Sequence, residues 1–194
     1  SDDNLVSIES NDYEYGDVDT ILLTSGTNTV IGSTGGDLIT AGSGHNTVLG
    51  DDGKAKFNGT VLTSIESTNS DNGGDDVITL QNGTNTVIAG DGKDKVTIGA
   101  GSNIVLGDEG SLTVNGGDNT TTIKTLNGSV GDIDTINVGE GFNVAIGGAA
   151  GDKIAVTGTE LDSQGIVLGD NGTLTMDRRS YRPPMLLPLR VNHA

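Results

Sequence analysis

A nine-residue unit repeats along most of the chain and constrains its fold more than any other feature of the sequence. Each unit contains an Asp or Asn that is followed two residues later by Ile, Val or Ala, and most units place a Gly two residues before it. The aliphatic residues favour a short strand, and the Gly permits a tight turn before it. Such a chain stacks coil upon coil, so that its stability comes from contacts between neighbouring coils.

Asp and Asn alternate strictly from one unit to the next. Two units make 18 residues, which is enough for one coil of two short strands and two turns, so the Asp units fall on one edge of the stack and the Asn units on the other. Stacked Asp residues then lie about 4.8 Å apart, the spacing of neighbouring strands. The predicted stacks are Asp19 over Asp37, Asp76 over Asp94 and Asp134 over Asp152.

The two edges have different chemistry. Carboxylates stacked this closely repel one another and raise one another's pKa, and a bound hard cation removes that repulsion. On the opposite edge, Asn28 over Asn46 and Asn85 over Asn103 can form neutral amide ladders without any metal. The sequence therefore predicts cation sites on the Asp edge alone.

A longer period divides the repeats into three blocks, 16–72, 73–130 and 131–176. Each block opens with these nine-residue units and ends in a remainder that contains a strand-like segment 18 residues beyond an earlier strand. We predict that each remainder is a third coil, which gives about nine coils of parallel β-roll or β-helix. The predicted strands of these third coils are Lys54–Phe57, Ser111–Val114 and Thr173–Met176.

The two ends of the chain differ from the repeats. Residues 1–15 are predicted to be a lead-in or cap, and residues 177–194 are a basic, Pro-containing tail without repeats. Residues 1–176 carry 26 acidic residues and six Lys, a net charge of −20, whereas the whole chain carries −17. We expect an excised piece of a longer protein, with a tail that is either native or derived from a vector or a frameshift.

Composition excludes several classes of function. The chain has no Cys, so disulfide frameworks, thiolate metal sites and cysteine nucleophiles are excluded. No apolar run approaches the roughly 18 residues that cross a bilayer. The negative charge repels phosphate backbones, so we do not expect a nucleic-acid partner.

The units resemble the hemolysin-type calcium-binding repeats of the repeats-in-toxin (RTX) family, whose consensus is Gly-Gly-x-Gly-x-Asp-x-U-x, where U is large and apolar. The best matches are residues 32–40, 41–49 and 89–97, and the resemblance extends over residues 16–176. It implies a right-handed parallel β-roll with calcium in the turns. It also implies export through a one-step secretion channel and folding outside the cell, and no cleavable signal is seen. The implied calcium ligands are Asp19, Asp37, Asp76, Asp94, Asp134 and Asp152.

Other acidic residues are weaker candidates for metal ligands. They either precede the first Asp of a block or lie in the turn before a third coil, where Asp is also a common turn former. About three calcium sites are expected, because half of the units carry Asn in place of the ligand Asp. The weaker candidates are Asp17, Asp51, Asp52, Asp75, Asp108, Asp132 and Asp170.

Two main hypotheses for function follow. The first is a calcium-stabilised β-roll from a secreted or cell-surface protein. The second is a calcium-dependent hydrolase of small esters or lactones such as acyl lactones, with His45 as a weak catalytic candidate, although no Gly-x-Ser-x-Gly motif is present. A third reading is an ice- or glycan-binding face of outward Thr29, Thr47 and Thr86. Outward aliphatic residues could also mediate self-association, namely Ile31, Leu49, Ile88 and Leu106.

Overall fold

The computed structural model describes residues 5–11, 15–69, 72–158 and 163–177, which form strands and turns and no helix. Accordingly, this part of the chain contains no helix that could span a bilayer. The strands are β1 (Ser7–Glu9), β2 (Thr20–Leu23), β3 (Gly26–Ile31), β4 (Leu38–Ala41), β5 (Gly44–Leu49), β6 (Gly53–Asn58), β7 (Val61–Ser67), β8 (Val77–Leu80), β9 (Gly83–Ile88), β10 (Lys95–Ile98), β11 (Gly101–Leu106), β12 (Gly110–Asn115), β13 (Thr120–Thr125), β14 (Thr135–Val138), β15 (Gly141–Gly148), β16 (Lys153–Val156), β17 (Gln164–Asp170) and β18 (Thr173–Asp177).

These strands form three six-stranded sheets. The short-strand sheet has the order β16-β14-β10-β8-β4-β2, and the long-strand sheet has the order β17-β15-β11-β9-β5-β3. Both are parallel throughout, and each coil of the roll contributes one strand to each. The third sheet, called the hairpin sheet, has the order β1-β6-β7-β12-β13-β18 and is antiparallel. The all-β, parallel β-roll class predicted from the sequence is confirmed.

Two apolar cores hold the three sheets together. Between the parallel sheets, the residues two positions after each Asp or Asn point inward, so that Ile39, Val48, Ile78 and Val87 are fully buried. On its other face, the long-strand sheet buries an aliphatic row against Ala55, Ile65, Leu112 and Ile123 of the hairpin sheet. The long-strand sheet is therefore covered on both faces.

The predicted third coils and the number of about nine coils are wrong. Lys54–Phe57, Ser111–Val114 and Thr173–Met176 are in strands, but these strands are β6, β12 and β18 of the antiparallel hairpin sheet. Over the residues that the structure describes, the parallel part has six coils. The 18-residue spacing placed Phe57 and Val114 correctly in strands, but spacing carries no information about strand direction.

The hairpins leave the roll without interrupting it. Strand β4 pairs directly with β8, and β5 with β9, across the inserted hairpin of β6 and β7. The same continuity holds where β10 pairs with β14 and β11 with β15. The Asp and Asn edges therefore run along the whole stack rather than in three separate pairs.

Candidate metal site on the Asp edge

The six main Asp residues form one continuous row, and each lies immediately before a strand of the short-strand sheet. In every adjacent pair, the backbone N–H of one Asp donates to Oδ1 of the Asp in the next coil. The N···O distances are 2.7 Å for Asp19 to Asp37, 2.6 Å for Asp37 to Asp76, 2.8 Å for Asp76 to Asp94, 2.8 Å for Asp94 to Asp134 and 3.0 Å for Asp134 to Asp152. The sequence predicted the stacking within each block, and the structure extends it across the hairpins.

The second oxygen of the carboxylates has no such partner. Oδ2 of Asp37, Asp76, Asp94, Asp134 and Asp152 is buried and accepts no hydrogen bond. The backbone packs tightly against this row. At Gly50, for example, a Cβ atom would lie 1.9 Å from Oδ2 of Asp76, so only Gly leaves room for the carboxylate there.

Burial is the main cause of raised pKa values along the row. It raises the pKa of Asp94 to about 10, with the charges of Asp76, Asp134 and Asp51 adding to the rise and the N–H of Asp76 opposing it. By the same cause, the pKa rises to about 8 at Asp134 and to about 7 at Asp76. Burial also raises the pKa of Asp37 and Asp152. Among the described residues, no positive charge contributes to any of these pKa shifts.

Two of the weaker candidates, Asp51 and Asp108, lie beside this row. Each is buried where the chain leaves the roll for a hairpin. Asp51 accepts N–H groups from Gly74 at 3.1 Å and Asp91 at 2.7 Å, and Asp108 accepts the N–H of Ala149. Burial, followed by the charge of Asp76, raises the pKa of Asp51 to about 9, and burial raises that of Asp108 to about 7.

The remaining candidates are more peripheral. Asp52 is buried, but its two oxygens accept hydrogen bonds from Ser33 Oγ at 2.8 Å and Asn69 Nδ2 at 3.3 Å. Asp19 lies at the open end of the row and is exposed. Four of the weaker candidates are exposed as well, namely Asp17, Asp75, Asp132 and Asp170. Sequence reasoning omitted Asp91, whose charge raises the pKa of both Asp51 and Asp108. The sequence signal that could have identified Asp91 is its position as the third residue of the nonapeptide 89–97.

The chemistry of the row fits a hard divalent cation. Five buried carboxylate oxygens lack a hydrogen-bond donor, and in the described residues no Lys, Arg or His side chain pairs with them. Within the same residues, no three Asp, Glu or His side chains converge on one point in a way that could hold an ion. A calcium ion there would complete its six to eight oxygen ligands with backbone carbonyls and water.

The opposite edge is an uncharged amide ladder. Nδ2 of each Asn donates to Oδ1 of the Asn in the next coil, at 2.8 to 2.9 Å, from Asn28 through Asn46, Asn85 and Asn103 to Asn143. Four of these side chains are buried, with Asn28 at the half-buried end. This edge needs no cation, because its donors and acceptors satisfy one another.

His45 lies next to this Asn edge, on the opposite side of the coil from the Asp row. It is exposed and is in register with Thr27 and Thr84 on the outer face of the long-strand sheet. In the described part of the chain it forms no hydrogen bond to a carboxylate or a hydroxyl nucleophile. The structure therefore does not bring His45 and the Asp row together.

The aliphatic row expected to mediate self-association is covered from within the chain. Leu49, Ile88 and Leu106 are at most 1% exposed, and Ile31 packs at the edge of the same cluster. The hairpin sheet covers them. The prediction that these residues face outward and are available to a partner is wrong, because the segments taken as third coils fold over them.

Comparison with known families supports the reading of the repeats. The model of the RTX calcium-binding nonapeptide repeat matches four copies in this chain, over residues 23–54 and 70–96. The chain resembles the RTX repeat proteins. The matched residues include Asp37, Asp76 and Asp94, in the middle of the row. No curated protein and no solved structure matched the chain.

Proposed function

We propose that this chain is a calcium-binding β-roll module of a secreted or cell-surface protein, and that calcium stabilises its folded state. The observation that carries the proposal is the row of buried carboxylates, in which five oxygens lack a donor and no cationic side chain of the described residues compensates the charge. The match to RTX calcium-binding repeats, which includes Asp37, Asp76 and Asp94 of the row, supports calcium as the ion.

The proposed ligands are Asp19, Asp37, Asp76, Asp94, Asp134 and Asp152. Six carboxylates carry six negative charges, so three divalent ions neutralise the row, which agrees with the expectation of about three sites. Asp51 and Asp108 add negative charge beside the middle of the row. Bound calcium would supply positive charge where the described residues place none, and its binding free energy would contribute to folding.

Secretion or surface display is the compartment that suits this chemistry. Outside the cell calcium is abundant, and extracellular calcium modules bind with Kd values of about 10⁻⁴ to 10⁻³ M. At low calcium, repulsion within a row of this kind would favour the unfolded chain, which is compatible with export before folding. Resemblance to RTX proteins supports the same compartment.

A comparison of the two edges tests the proposal. In calcium titration calorimetry, Asp37→Ala and Asp94→Ala should each weaken calcium binding or remove a site, because each deletes a carboxylate of the row. Asn46→Ala is the matched control on the opposite edge and should leave the calcium stoichiometry unchanged. Equal losses from both edges, or no calcium binding by the unaltered chain, would overturn the proposal.

The alternative function, a calcium-dependent hydrolase of small esters or lactones, has less support. His45 and the Asp row lie on opposite edges of the coil, and His45 lacks an orienting carboxylate within the described residues. Hydrolysis of a chromogenic ester and an acyl lactone, each measured with calcium and with chelator, tests it. Calcium-dependent turnover that is lost in Asp94→Ala would establish the hydrolase instead.

A further inference from the structure

A cleft lies between the long-strand sheet and the hairpins, on the face of that sheet that points away from the interior of the roll. Its volume is about 430 Å³, which is within the range of about 300 to 1,000 Å³ found for small-molecule sites. One wall is the outer face of the long-strand sheet near the start of its strands. The other wall comes from the two hairpins β6–β7 and β12–β13.

The sheet wall carries a row of three Thr hydroxyl groups, which ends at Ile104, the residue in register with Thr86 on the next strand. Thr29, Thr47 and Thr86 are in register on neighbouring strands, so their side chains repeat at about the 4.8 Å spacing of the strands. All three are half-buried. In the described part of the chain their hydroxyls form no hydrogen bond with other protein groups. These three hydroxyls can therefore donate and accept hydrogen bonds with a molecule in the cleft.

The hairpin wall is mostly apolar. Phe57, Leu62, Val114 and Thr121 line it. Thr121 is only 2% exposed, and its Oγ1 is buried with no hydrogen-bond partner. A buried hydroxyl without a partner is costly, by about 1 to 3 kcal/mol, so a polar group that reached Thr121 from the cleft would remove that cost.

The cleft contains no carboxylate, Lys or Arg side chain. None of the residues that line it is Asp, Glu, Lys or Arg, although the chain has a net charge of −17, and His45 is the one side chain among them that can ionise. An ionic ligand would find no permanent counter-charge there. An acyl chain would suit the hairpin wall but would leave the Thr hydroxyls and Thr121 without partners.

We infer that the cleft binds an uncharged saccharide of one or two units. A sugar ring combines an apolar C–H face, which packs on Phe57 and Leu62, with hydroxyls at its rim that pair with Thr47, Thr86 and Thr121. The flat, open Thr face that an ice surface would require is absent, because the hairpins cover the Thr residues of the sheet wall. The module thus carries a recognition site distinct from its Asp row.

The test uses titration calorimetry of the full chain in calcium with neutral disaccharides, namely cellobiose, maltose and lactose. One of them should bind at a ratio of one per chain. The double variant Thr47→Val/Thr86→Val should weaken that binding at least tenfold, because it removes two hydroxyls and keeps the side-chain shape. Thr79→Val is the matched control, since Thr79 lies on the outer face of the short-strand sheet, in strand β8 immediately before β9.

Several results would overturn the inference. These are failure of all three disaccharides to bind, equal weakening by Thr79→Val, and binding of decanol without binding of any disaccharide. Far-ultraviolet circular dichroism checks that the variants fold. If the double variant does not fold, Thr121→Val replaces it, and unchanged affinity in that variant counts against the site.

Discussion

Replacing one carboxylate in the middle of the Asp row should have opposite effects with and without calcium. Asp94 is 2% exposed, and burial raises its pKa to about 10 when no cation is present. At pH 7 the calcium-free fold must therefore hold Asp94 protonated, whereas the unfolded chain ionises it above about pH 4. Asp94→Asn keeps the shape of the side chain and the oxygen that accepts the N–H of Asp76. Because the Asn side chain is neutral, it needs no added proton to be buried.

The size of the effect follows from the difference between the two pKa values. Because the folded-state pKa is raised, stability is fully present below pH 4 and is lost as pH rises towards 10, by about 1.4 kcal/mol per pH unit. Between pH 4 and pH 7 the loss reaches about 4 kcal/mol. Asp94→Asn should recover up to that amount at pH 7 in chelator and almost none at pH 4.

Urea unfolding followed by circular dichroism measures the effect at both pH values in calcium-free buffer. Saturating calcium should reverse the order at pH 7, because the unaltered chain gains more from ion binding than a variant with one carboxylate fewer. Glu66→Gln removes the same charge from strand β7 of the hairpin sheet and is the control for net charge. If Asp94→Asn is less stable than the unaltered chain in chelator at pH 7, the reasoning about the uncompensated row is refuted.

Three further predictions follow from the same geometry. Chelation at pH 7 should lower the melting temperature and the β-sheet circular dichroism signal, and an unchanged melting curve would mean that the Asn ladder and the apolar cores suffice alone. Asn46→Ala should lower the free energy of unfolding by about 2 to 4 kcal/mol in urea titrations, because it breaks a buried hydrogen bond with Asn85 and partly buried ones with Asn28 and Gly42. Gly83→Ala should cost more stability than Gly26→Ala. Both residues have positive φ angles. A Cβ at Gly83 would lie 1.9 Å from the carbonyl oxygen of Gly44, whereas one at Gly26 meets nothing within 4 Å. Equal losses of stability in the two variants would contradict the stacking argument.

The sequence predicted the parallel roll and its two edges because one period fixes both. Eighteen residues return the chain to the same position one coil further on, so strict alternation of Asp and Asn necessarily separates them, as the hydrogen bonds of Asp94 and Asn85 confirm. Strand direction in the remainders was not predicted, although a signal exists. Asn58-Gly59 and Asn115-Gly116 are turn dipeptides typical of hairpins, and Gly59 has a φ of 62°.

The cleft could not be predicted, because it depends on the antiparallel packing. If the remainders had formed coils, Thr47 and Thr86 would face solvent as an open surface. Only the placement of Phe57 and Val114 above them converts a row of exposed hydroxyls into a cleft. Likewise, the buried positions of Asp51 and Asp108 follow from their location where the chain leaves the roll, which a periodic reading cannot distinguish from an ordinary turn.

The hairpins and the Asp row depend on each other through the continuity of the roll. Asp37 and Asp76 are 39 residues apart in the chain, yet they are hydrogen-bonded neighbours, because the hairpin leaves and returns within one coil spacing. The row consequently has interior members with carboxylates on both sides, and the pKa of Asp94, one such member, is raised further than those of Asp76 and Asp134. Three separate pairs would have no such interior. Cation binding should therefore be coupled along the row, since neutralising one interior carboxylate relieves its neighbours on both sides, including those beyond a hairpin.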